Sequence, residues 1–549
     1  MSGITIYSAR KIITMNPRRP VASHVAVRDG TILGAGTLDE LAGWGEYKLD
    51  ERFADKVLMP GMIEGHAHAM EGSVWQDHYV GYYDRRGPDG VVHPALRSID
   101  AVVAHLQQIE AESDDADKPI RAWGFDPIYF NDRRMTRADL DRVSATRPVI
   151  VNHASLHIVN VNSVLLEKAN ITADTDVMGI VKDSDGIPTG ELQGLPARYA
   201  VFSALGIDRG SDTTTPESLW RFARSAQFAG VTTSTDLANT LTDSVVERML
   251  KMTDDPDYPL RIVPAFLGNS CSADEGPARV QALIPKATDK LRIGLVKLVT
   301  DGSIQGFTAR LKEPGYYNGV PNGLWYLDPD DIPRILGAYN DVGLQVHLHT
   351  NGDQATEVAL DAIEQVLVRT PNPDPRFTLQ HCQMAHEAHY RRMANMGVCA
   401  NVFSNHLYYW GDQHYEQTMG PERAERMNAA GTAQRFGVPF SIHSDAPITP
   451  MGPLFTAWCA VNRLTASGRV LGETECLSVP DALFAVTMGA AYTLKLDQEL
   501  GSIEIGKKAD FAVLEDDPLT VDPKALKDIA VWGTVLGGRV FANEDIGAE

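Results

Sequence analysis

Eight strand-like runs alternate with helix-like segments through the middle of the chain, and this alternation most constrains the fold. The helix-like segments include 333–342, 355–368 and 422–436. Strands that alternate with helices form parallel sheets, and eight such units over this length predict a (β/α)8 barrel. The predicted strands are 57–64, 230–235, 261–267, 294–300, 344–349, 377–381, 398–403 and 440–445.

A long insertion separates the first predicted strand from the second. Residues 65–229 contain strand-like runs at 121–125 and 149–152 and a turn at 183–186. The segment leaves the barrel after its first strand, at the face where the active sites of this fold lie. We therefore predict an inserted α+β subdomain over 69–203 that acts as a lid.

The two chain ends contain short strands with alternating polarity. The runs 4–7, 25–27 and 31–34 near the start and 510–514 and 531–535 near the end lie beside Asp-Gly or Gly-Gly turns. Neither end has enough strands for a stable sheet by itself. We expect both ends to form one small β-domain.

Charge and cysteine content disfavour several classes of protein. The chain has 50 Lys and Arg against 72 Asp and Glu, a net charge of −22, which disfavours a nucleic-acid partner. The five cysteines form no CxxC pair, as is typical of a reducing cytosol. The start of the chain lacks an apolar signal segment, and no run of about 18 apolar residues occurs. We expect a cytoplasmic protein with no membrane partner; its oligomeric state stays open, a homodimer included.

Polar side chains recur where the predicted strands end, and the carboxyl ends of barrel strands are where catalytic groups converge. Residues two apart on a strand point the same way, so the two histidines of the first pair face one centre. Imidazole nitrogens and carboxylates are ligands of zinc and similar divalent ions. The side chains concerned are His66, His68, Lys297, His347, His349, His381 and Asp445.

Lys297 lies within an apolar strand-like run, where an unpaired ammonium group is costly. One interpretation is an ion pair with Asp301. The other is a lysine carboxylated by CO2, which provides a carboxylate able to bridge two metals.

Several segments together resemble the amidohydrolase superfamily, over nearly the whole chain and in the expected order. Within it, the chain is similar to amidohydrolase family 3, the branch of the N-substituted formamide deformylases and their YtcJ-like relatives. Segments of the insertion, 123–126, 157–163 and 188–191, support this branch. The other segments that carry the resemblance are 60–68, 297–303, 349–353, 380–383, 443–447 and 501–510.

The resemblance implies a (β/α)8 barrel over 59–496 and a small β-sandwich domain made from 1–58 and 497–549. It also implies a binuclear centre of divalent metal, zinc by expectation, with one or two ions per chain. His347 is left outside the ligand set because the motif spacing selects His349. The implied metal ligands are His66, His68, Lys297 in its carboxylated form, His349, His381 and Asp445.

The function implied is metal-dependent hydrolysis of a C–N bond in an amide or N-substituted formamide by metal-bound hydroxide, with Asp445 as catalytic acid and base. An esterase, lactonase or cyclic amidase could use the same centre. A deaminase would usually lack the bridging lysine, and a catalytically silent barrel scaffold would have lost ligands. The candidate substrate-binding residues are Trp123, Phe125, His157, Ser303 and Trp410; for His157, a bond to Asn162 is the alternative.

Overall fold

The computed structural model describes residues 3–115, 118–130, 133–207 and 213–543. The end of the predicted terminal β-domain, 544–549, lies outside these ranges. The described chain divides into two compact units, Met1–His68 with Ala223–Glu549, and Ala69–Phe222. The second unit contains the predicted insertion 69–203 and extends to Phe222.

The described strands are numbered in chain order. The first five are β1 Ile4–Ile13, β2 Val21–Arg28, β3 Thr31–Gly36, β4 Tyr47–Pro60 and β5 Met62–Glu64. The next eight are β6 His78–Tyr79, β7 Arg85–Arg86, β8 Val92–His93, β9 Ile120–Phe125, β10 Val149–His153, β11 Ile158–Val161, β12 Ile180–Lys182 and β13 Pro188–Gln193. The last ten are β14 Val231–Asn239, β15 Arg261–Leu267, β16 Leu295–Val299, β17 Gln345–Thr350, β18 Thr378–His381, β19 Cys399–Val402, β20 Phe440–Ile442, β21 Phe511–Leu514, β22 Val531–Leu536 and β23 Arg539–Ala542.

The described α-helices are numbered in the same way. The first seven are α1 Leu38–Ala42, α2 Met70–Val74, α3 Ile99–Glu112, α4 Arg137–Asp141, α5 Ser163–Lys168, α6 Gly194–Ala204 and α7 Pro216–Phe228. The others are α8 Asp243–Asp254, α9 Glu275–Leu283, α10 Ile332–Asn340, α11 Asp353–Arg369, α12 Glu387–Met396, α13 Asn405–Gln413, α14 Pro421–Glu425, α15 Ala430–Arg435, α16 Pro453–Asn462, α17 Val479–Phe484 and α18 Ala490–Thr493. Among the described residues, no helix combines the length and apolar character needed to cross a membrane.

Eight parallel strands form the predicted barrel sheet. The strand order is β5, β14, β15, β16, β17, β18, β19, β20, which is the order along the chain. Beyond β5 and β20 the two edges meet, because Asp445 N–H donates to His66 O (3.1 Å) and His68 N–H donates to Ala446 O (2.8 Å). A parallel bridge joins Ala67 to Ala446 between these bonds. The sheet is thus closed at the ends of its first and last strands, as in a TIM-type barrel.

The first predicted strand, 57–64, is divided at Gly61. Residues 57–60 belong to β4 and pair with β21, whereas Met62 begins the barrel strand and its N–H donates to Gly230 O. A side chain at Gly61 has no space, because a Cβ there would lie 2.0 Å from Thr232 Oγ1. The apolar run continues on both sides of Pro60-Gly61, and this dipeptide, a common turn signal, is the local sign that the chain passes from one sheet to another.

Both chain ends join in one seven-stranded sheet. Its order is β23, β22, β21, β4, β1, β2, β3, so strands of the C-terminal segment extend the N-terminal sheet through the β4–β21 pair. A buried apolar cluster includes Phe53, Leu58, Phe511 and Val535. The sheet therefore depends on residues from opposite ends of the chain.

The insertion forms its own sheet and core. Six of its strands are ordered β12, β13, β11, β10, β9, β6, with parallel pairing at β9–β10 and antiparallel pairing at β10–β11. Phe125, Leu106 and Val151 are fully buried in one apolar cluster with helix α3. A second cluster packs helices α5 and α6 on the sheet. The unit thus has the cores of a small α+β domain.

The predicted helix 422–436 is interrupted. The structure has α14 and α15 with a break around Asn428, whose φ is +51°. The buried Arg463 donates to the carbonyl oxygens of Met427 and Asn428. The two carbonyls accept from a side chain that is distant in the sequence instead of from a helical N–H group. The local sequence around Asn428 does not indicate this contact.

Asp510 connects the terminal sheet to the barrel. Its carbonyl accepts from Gly61 N–H, its Oδ1 accepts from Gly537 N–H, and its Oδ2 accepts from Arg261 at 3.0 Å. Arg261 belongs to β15 and is 1% exposed, so its charge depends on this partner. Its second carboxylate partner, Asp289, is largely exposed.

We expect Asp510→Ala to destabilise the protein by about 3–5 kcal/mol, because it leaves a buried guanidinium without its buried counter-charge. Asp289→Ala is the matched control, since it removes a solvent-screened partner of the same arginine and should cost at most about 1 kcal/mol. Chemical denaturation followed by far-UV circular dichroism measures both. Equal losses in the two variants would contradict the role of Asp510.

Candidate metal centre

His66, His68 and Asp445 meet at the seam that closes the barrel. His66 Nε2 and His68 Nε2 each lie 3.3 Å from Asp445 Oδ1. That oxygen is buried and, within the described chain, has no hydrogen-bond partner. The ligand atoms of a tetrahedral zinc site with bonds of about 2 Å lie about 3.3 Å apart. The three side chains are therefore spaced as ligands of one divalent ion.

His349 and His381 form a second pair at the ends of β17 and β18. His349 Nδ1 lies 3.1 Å from His381 Nε2. His349 Nε2 lies 3.2 Å from the carbonyl oxygen of Gly302 and 3.1 Å from Asn351 Nδ2, which itself donates to the same carbonyl. This spacing also matches two ligands of a tetrahedral ion.

Lys297 lies on β16, next to His347 in the sheet register, and its side chain is 2% exposed. Its Nζ has no hydrogen-bond partner in the described parts of the chain. Burial lowers the pKa of the lysine to about 7. The amine is therefore substantially neutral near pH 7, which lowers the cost of burying it without a hydrogen-bond partner.

Asp301 does not accept a hydrogen bond from Lys297, contrary to the alternative expectation of a paired lysine. Its carboxylate accepts instead from the backbone N–H groups of Arg310, Asn351 and Gly352. Burial raises the pKa of Asp301 to about 7. The side chain thus holds together the loops that follow β16 and β17.

His347 uses both ring nitrogens within the protein. Its Nε2 lies 3.0 Å from Thr493 O, and its Nδ1 lies 2.7 Å from Gln380 Nε2. A backbone carbonyl only accepts, so Nε2 carries the proton and Nδ1 accepts from the Gln380 amide. Neither nitrogen has a lone pair left for a metal.

His443 is a residue of the centre that sequence reasoning did not include. It follows β20, and ring nitrogens of His66, His381 and His443 lie within 4.8 Å of one another. Its ring stacks on that of His66 with centroids 4.7 Å apart. The signal was present, because His443 and Asp445 repeat the two-residue spacing of His66 and His68 at a strand end.

Burial determines the protonation of these histidines. It lowers the pKa of His66, His381 and His443 well below the ordinary value. Neutral imidazole is the form that binds metal ions. The histidines are therefore in a metal-binding form at neutral pH.

Glu64 joins the two strand ends that carry the first ligand set. It is 1% exposed and accepts from His66 N–H (3.3 Å), Ser444 N–H (3.2 Å) and Ser444 Oγ (2.7 Å). Burial raises its pKa to about 7. The contacts fix the backbone beside His66 and Asp445 with respect to one another.

Two of the candidate ligands have unusual backbone conformations. His381 has φ +72° and Asp445 has φ +56°, in the left-handed region that residues with a Cβ rarely adopt. Such conformations cost about 1–3 kcal/mol each and concentrate at functional sites. Here they coincide with the points at which β18 and the segment after β20 direct side chains towards the centre.

The predicted substrate residues have different surroundings. Ser303 is half-buried in the loop after β16, where its N–H donates to Thr308 Oγ1. Trp410 is 2% exposed in helix α13, not in a loop as expected, and its ring lies 4.6 Å from that of His406. Their roles in substrate binding stay predictions.

Within the insertion, Trp123 is buried with the Arg85 guanidinium 4.8 Å from its ring centre. Phe125 is fully buried and stacks on Phe130. His157 is exposed, and the alternative bond to Asn162 is not formed, because the Asn162 side chain caps helix α5. Of the three, His157 is the one whose side chain solvent reaches.

A closed parallel barrel with histidines, a lysine and an aspartate converging at the carboxyl ends of its strands is the arrangement of a metal-dependent hydrolase. The chain belongs to the amidohydrolase family, whose model matches residues 54–542.

Individual relatives are similar over almost their full length. The chain is 28% identical to amidohydrolase YtcJ of Bacillus subtilis, covering 96% of this chain and 97% of the relative. It is 24% identical to the N-substituted formamide deformylase of Arthrobacter pascens, covering 96% of each. Among solved structures, an uncharacterised metal-dependent hydrolase of Pyrococcus horikoshii superposes with a TM-score of 0.72 at 21% identity, covering 95% of this chain and 99% of the other. The last likeness shows a shared fold.

We expect His347→Gln to retain the metal content of the unsubstituted protein, because neither nitrogen of His347 is free to bind a metal ion. His349→Gln, two residues along the same strand, should lose at least one equivalent. Elemental analysis of both purified variants measures the difference. If His347→Gln loses metal and His349→Gln does not, His347 is the ligand and His349 is not.

Proposed function

We propose that the protein hydrolyses a C–N bond in an amide or N-substituted formamide with the help of two divalent metal ions. The observation that carries the proposal is the pair of ligand sets with spacings of 3.1–3.3 Å beside a buried lysine amine without a partner. The likeness to a formamide deformylase supports the substrate class.

Each ligand set would hold one ion. His66, His68 and Asp445 would hold the first, and His349 and His381 the second, with the carboxylated Lys297 as the bridge between them. Nitrogen donors with a carboxylate favour zinc. Bound ions of this kind lower the pKa of a coordinated water towards about 7 and polarise a substrate carbonyl.

Lys297 is suited to carboxylation because its amine is substantially neutral near pH 7. The Nζ lone pair attacks the carbon of CO2, and the nitrogen releases one proton, which leaves an anionic carbamate. The product is an anion, which two bound cations would stabilise by Coulombic attraction.

Asp445 would move the proton during the reaction. Its carboxylate accepts a proton from the attacking water and delivers it to the nitrogen of the leaving amine, first as general base and then as general acid. The Glu64 and seam hydrogen bonds hold the backbone that presents this carboxylate.

Substrate range is proposed to depend on the insertion, with the exposed His157 as the residue to substitute first.

Metal analysis together with a substrate screen tests the proposed function. We expect about one to two equivalents of transition metal per chain, loss of activity on chelation and recovery when zinc is added back. N-substituted formamides and anilides should be cleaved, while cyclic amides, esters and lactones measure the competing activities. Full activity in metal-free protein would contradict the mechanism, and ammonia release would indicate a deaminase.

Lys297→Ala should lose metal and activity, because the bridging carboxylate disappears. Short carboxylic acids added in solution should restore part of both, since they can occupy the same position. Lys297→Arg is the comparison variant, as it keeps a positive charge but cannot form the carbamate. Wild-type metal content and rate in Lys297→Arg would disprove the bridging role.

Asp445→Asn should lower kcat by at least about 10²–10⁴-fold, because the amide keeps the size of the side chain but cannot carry the proton. Circular dichroism and metal content separate loss of proton transfer from loss of fold or ligand. Near-normal turnover would assign the acid and base role to another residue.

A further inference from the structure

A chain of buried hydrogen bonds lies beside the candidate metal centre, and one end of it is fixed by a backbone carbonyl. Asn401 Nδ2 lies 3.0 Å from Gly65 O and 2.9 Å from Gln380 Oε1. A backbone carbonyl can only accept, so the atom facing it must be the amide nitrogen. The orientation of the Asn401 side chain is thereby determined.

From Asn401 the chain of donors continues to His381. Asn401 Oδ1 lies 2.9 Å from His443 Nδ1 and can only accept, so that nitrogen carries the proton and His443 Nε2 has the lone pair. His443 Nε2 lies 3.1 Å from His381 Nδ1, which must then be the donor. His381 Nε2 is left with its lone pair directed at His349 Nδ1.

A second branch gives the same result for His66. Gln380 Oε1 accepts from His66 Nδ1 at 2.6 Å, which leaves the lone pair of His66 on Nε2, the atom near Asp445. The other atom of the amide, Gln380 Nε2, donates to His347. Because His347 in turn donates to Thr493 O, the far end of the branch requires the same amide orientation independently.

We propose that Asn401 and His443 are positioning residues that hold His381 in the one tautomer able to bind a metal through Nε2. The proposal rests on the proposed metal-dependent function. In it, His443 binds no ion itself; its Nε2 accepts the hydrogen bond that keeps the proton of His381 on Nδ1. Partners of this kind typically change metal affinity by 10–100-fold.

The distance between His443 and His381 alone does not distinguish a positioning role from a direct ligand role, since either fits nitrogens 3.1 Å apart. The direction of the hydrogen bonds distinguishes the two roles of His443. A direct role for both rings in one site would take His381 Nδ1 as ligand and leave its Nε2, the atom 3.1 Å from His349 Nδ1, to carry the proton. That arrangement removes the second ligand pair.

Metal titration of two variants tests the proposal. His443→Phe keeps a planar ring but cannot accept from His381, whereas the amide oxygen of His443→Gln can accept from His381 while its nitrogen donates to Asn401. Metal-free full-length protein is titrated with Zn²⁺ against a competing chelator, and with Co²⁺ to follow the visible absorption of the bound ion. We expect the affinity for one of two equivalents to fall 10–100-fold in His443→Phe and to stay within about threefold of the unsubstituted protein in His443→Gln.

Asn401→Ala provides a second variant if His443→Phe does not fold. It removes the acceptor that fixes His443 without touching His381, and the same site should weaken. The melting temperatures of the metal-free variants report any purely structural loss. Rescue by the Gln variant is a result that a packing role alone would not give.

Two results would overturn the proposal. Unchanged zinc affinity in both His443→Phe and Asn401→Ala would show that the chain does not control the ligand. Equal losses in His443→Phe and His443→Gln, with a changed Co²⁺ spectrum in the Gln variant, would show that His443 is itself a ligand. If the unsubstituted protein binds no metal, the proposed function fails first, so the two failures are distinguishable.

Discussion

The burial of most ionisable side chains at the carboxyl end of the barrel is the constraint on which the centre depends. Each ionisable group there must find partners inside the protein, and most do. Glu64 and Asp301 accept hydrogen bonds from neighbouring loops and thereby join the ends of β5 and β20 and of β16 and β17. Among the described residues, Lys297 Nζ and Asp445 Oδ1 are buried and have no hydrogen-bond partner. Buried atoms without partners are what a bound cation and its bridging anion would satisfy.

Much of the fold could be predicted from the sequence because alternation of strands and helices is a local property. The predicted barrel strands all overlap strands of the closed sheet, and runs at both chain ends lie in one terminal sheet. The differences arise from long-range contacts. Thr232 leaves space only for a glycine at position 61, where the chain passes from the terminal sheet to the barrel, and Arg463 interrupts a helix by binding carbonyls more than thirty residues away. No window of local sequence contains both partners of such contacts.

The candidate site was predictable where its side chains lie at the carboxyl ends of predicted strands, because functional groups of this fold converge there. Candidate ligands from different strands lie close together, since parallel strands bring their carboxyl ends to one edge. The hydrogen-bonded partners of the ligands were not predicted. Asn401 and Gln380 look like ordinary polar residues of buried strands, and only the directions of their amide groups show what they do. His443 was not predicted, although its spacing from Asp445 repeats that of His66 and His68, because the resemblance implies only the aspartate of this segment as a ligand.

The seam of the barrel is made by the same short segments that carry the first ligand set. Across it Asp445 N–H donates to His66 O and His68 N–H donates to Ala446 O, while the side chains of His66, His68 and Asp445 share one centre. An ion held there would therefore stabilise closure by binding only the closed form. Depletion of metal would weaken the seam and leave two strand edges with unpaired amides and carbonyls, which readily associate with other chains. Solubility on storage and the ability to recover from chelation would then depend on the same few hydrogen bonds.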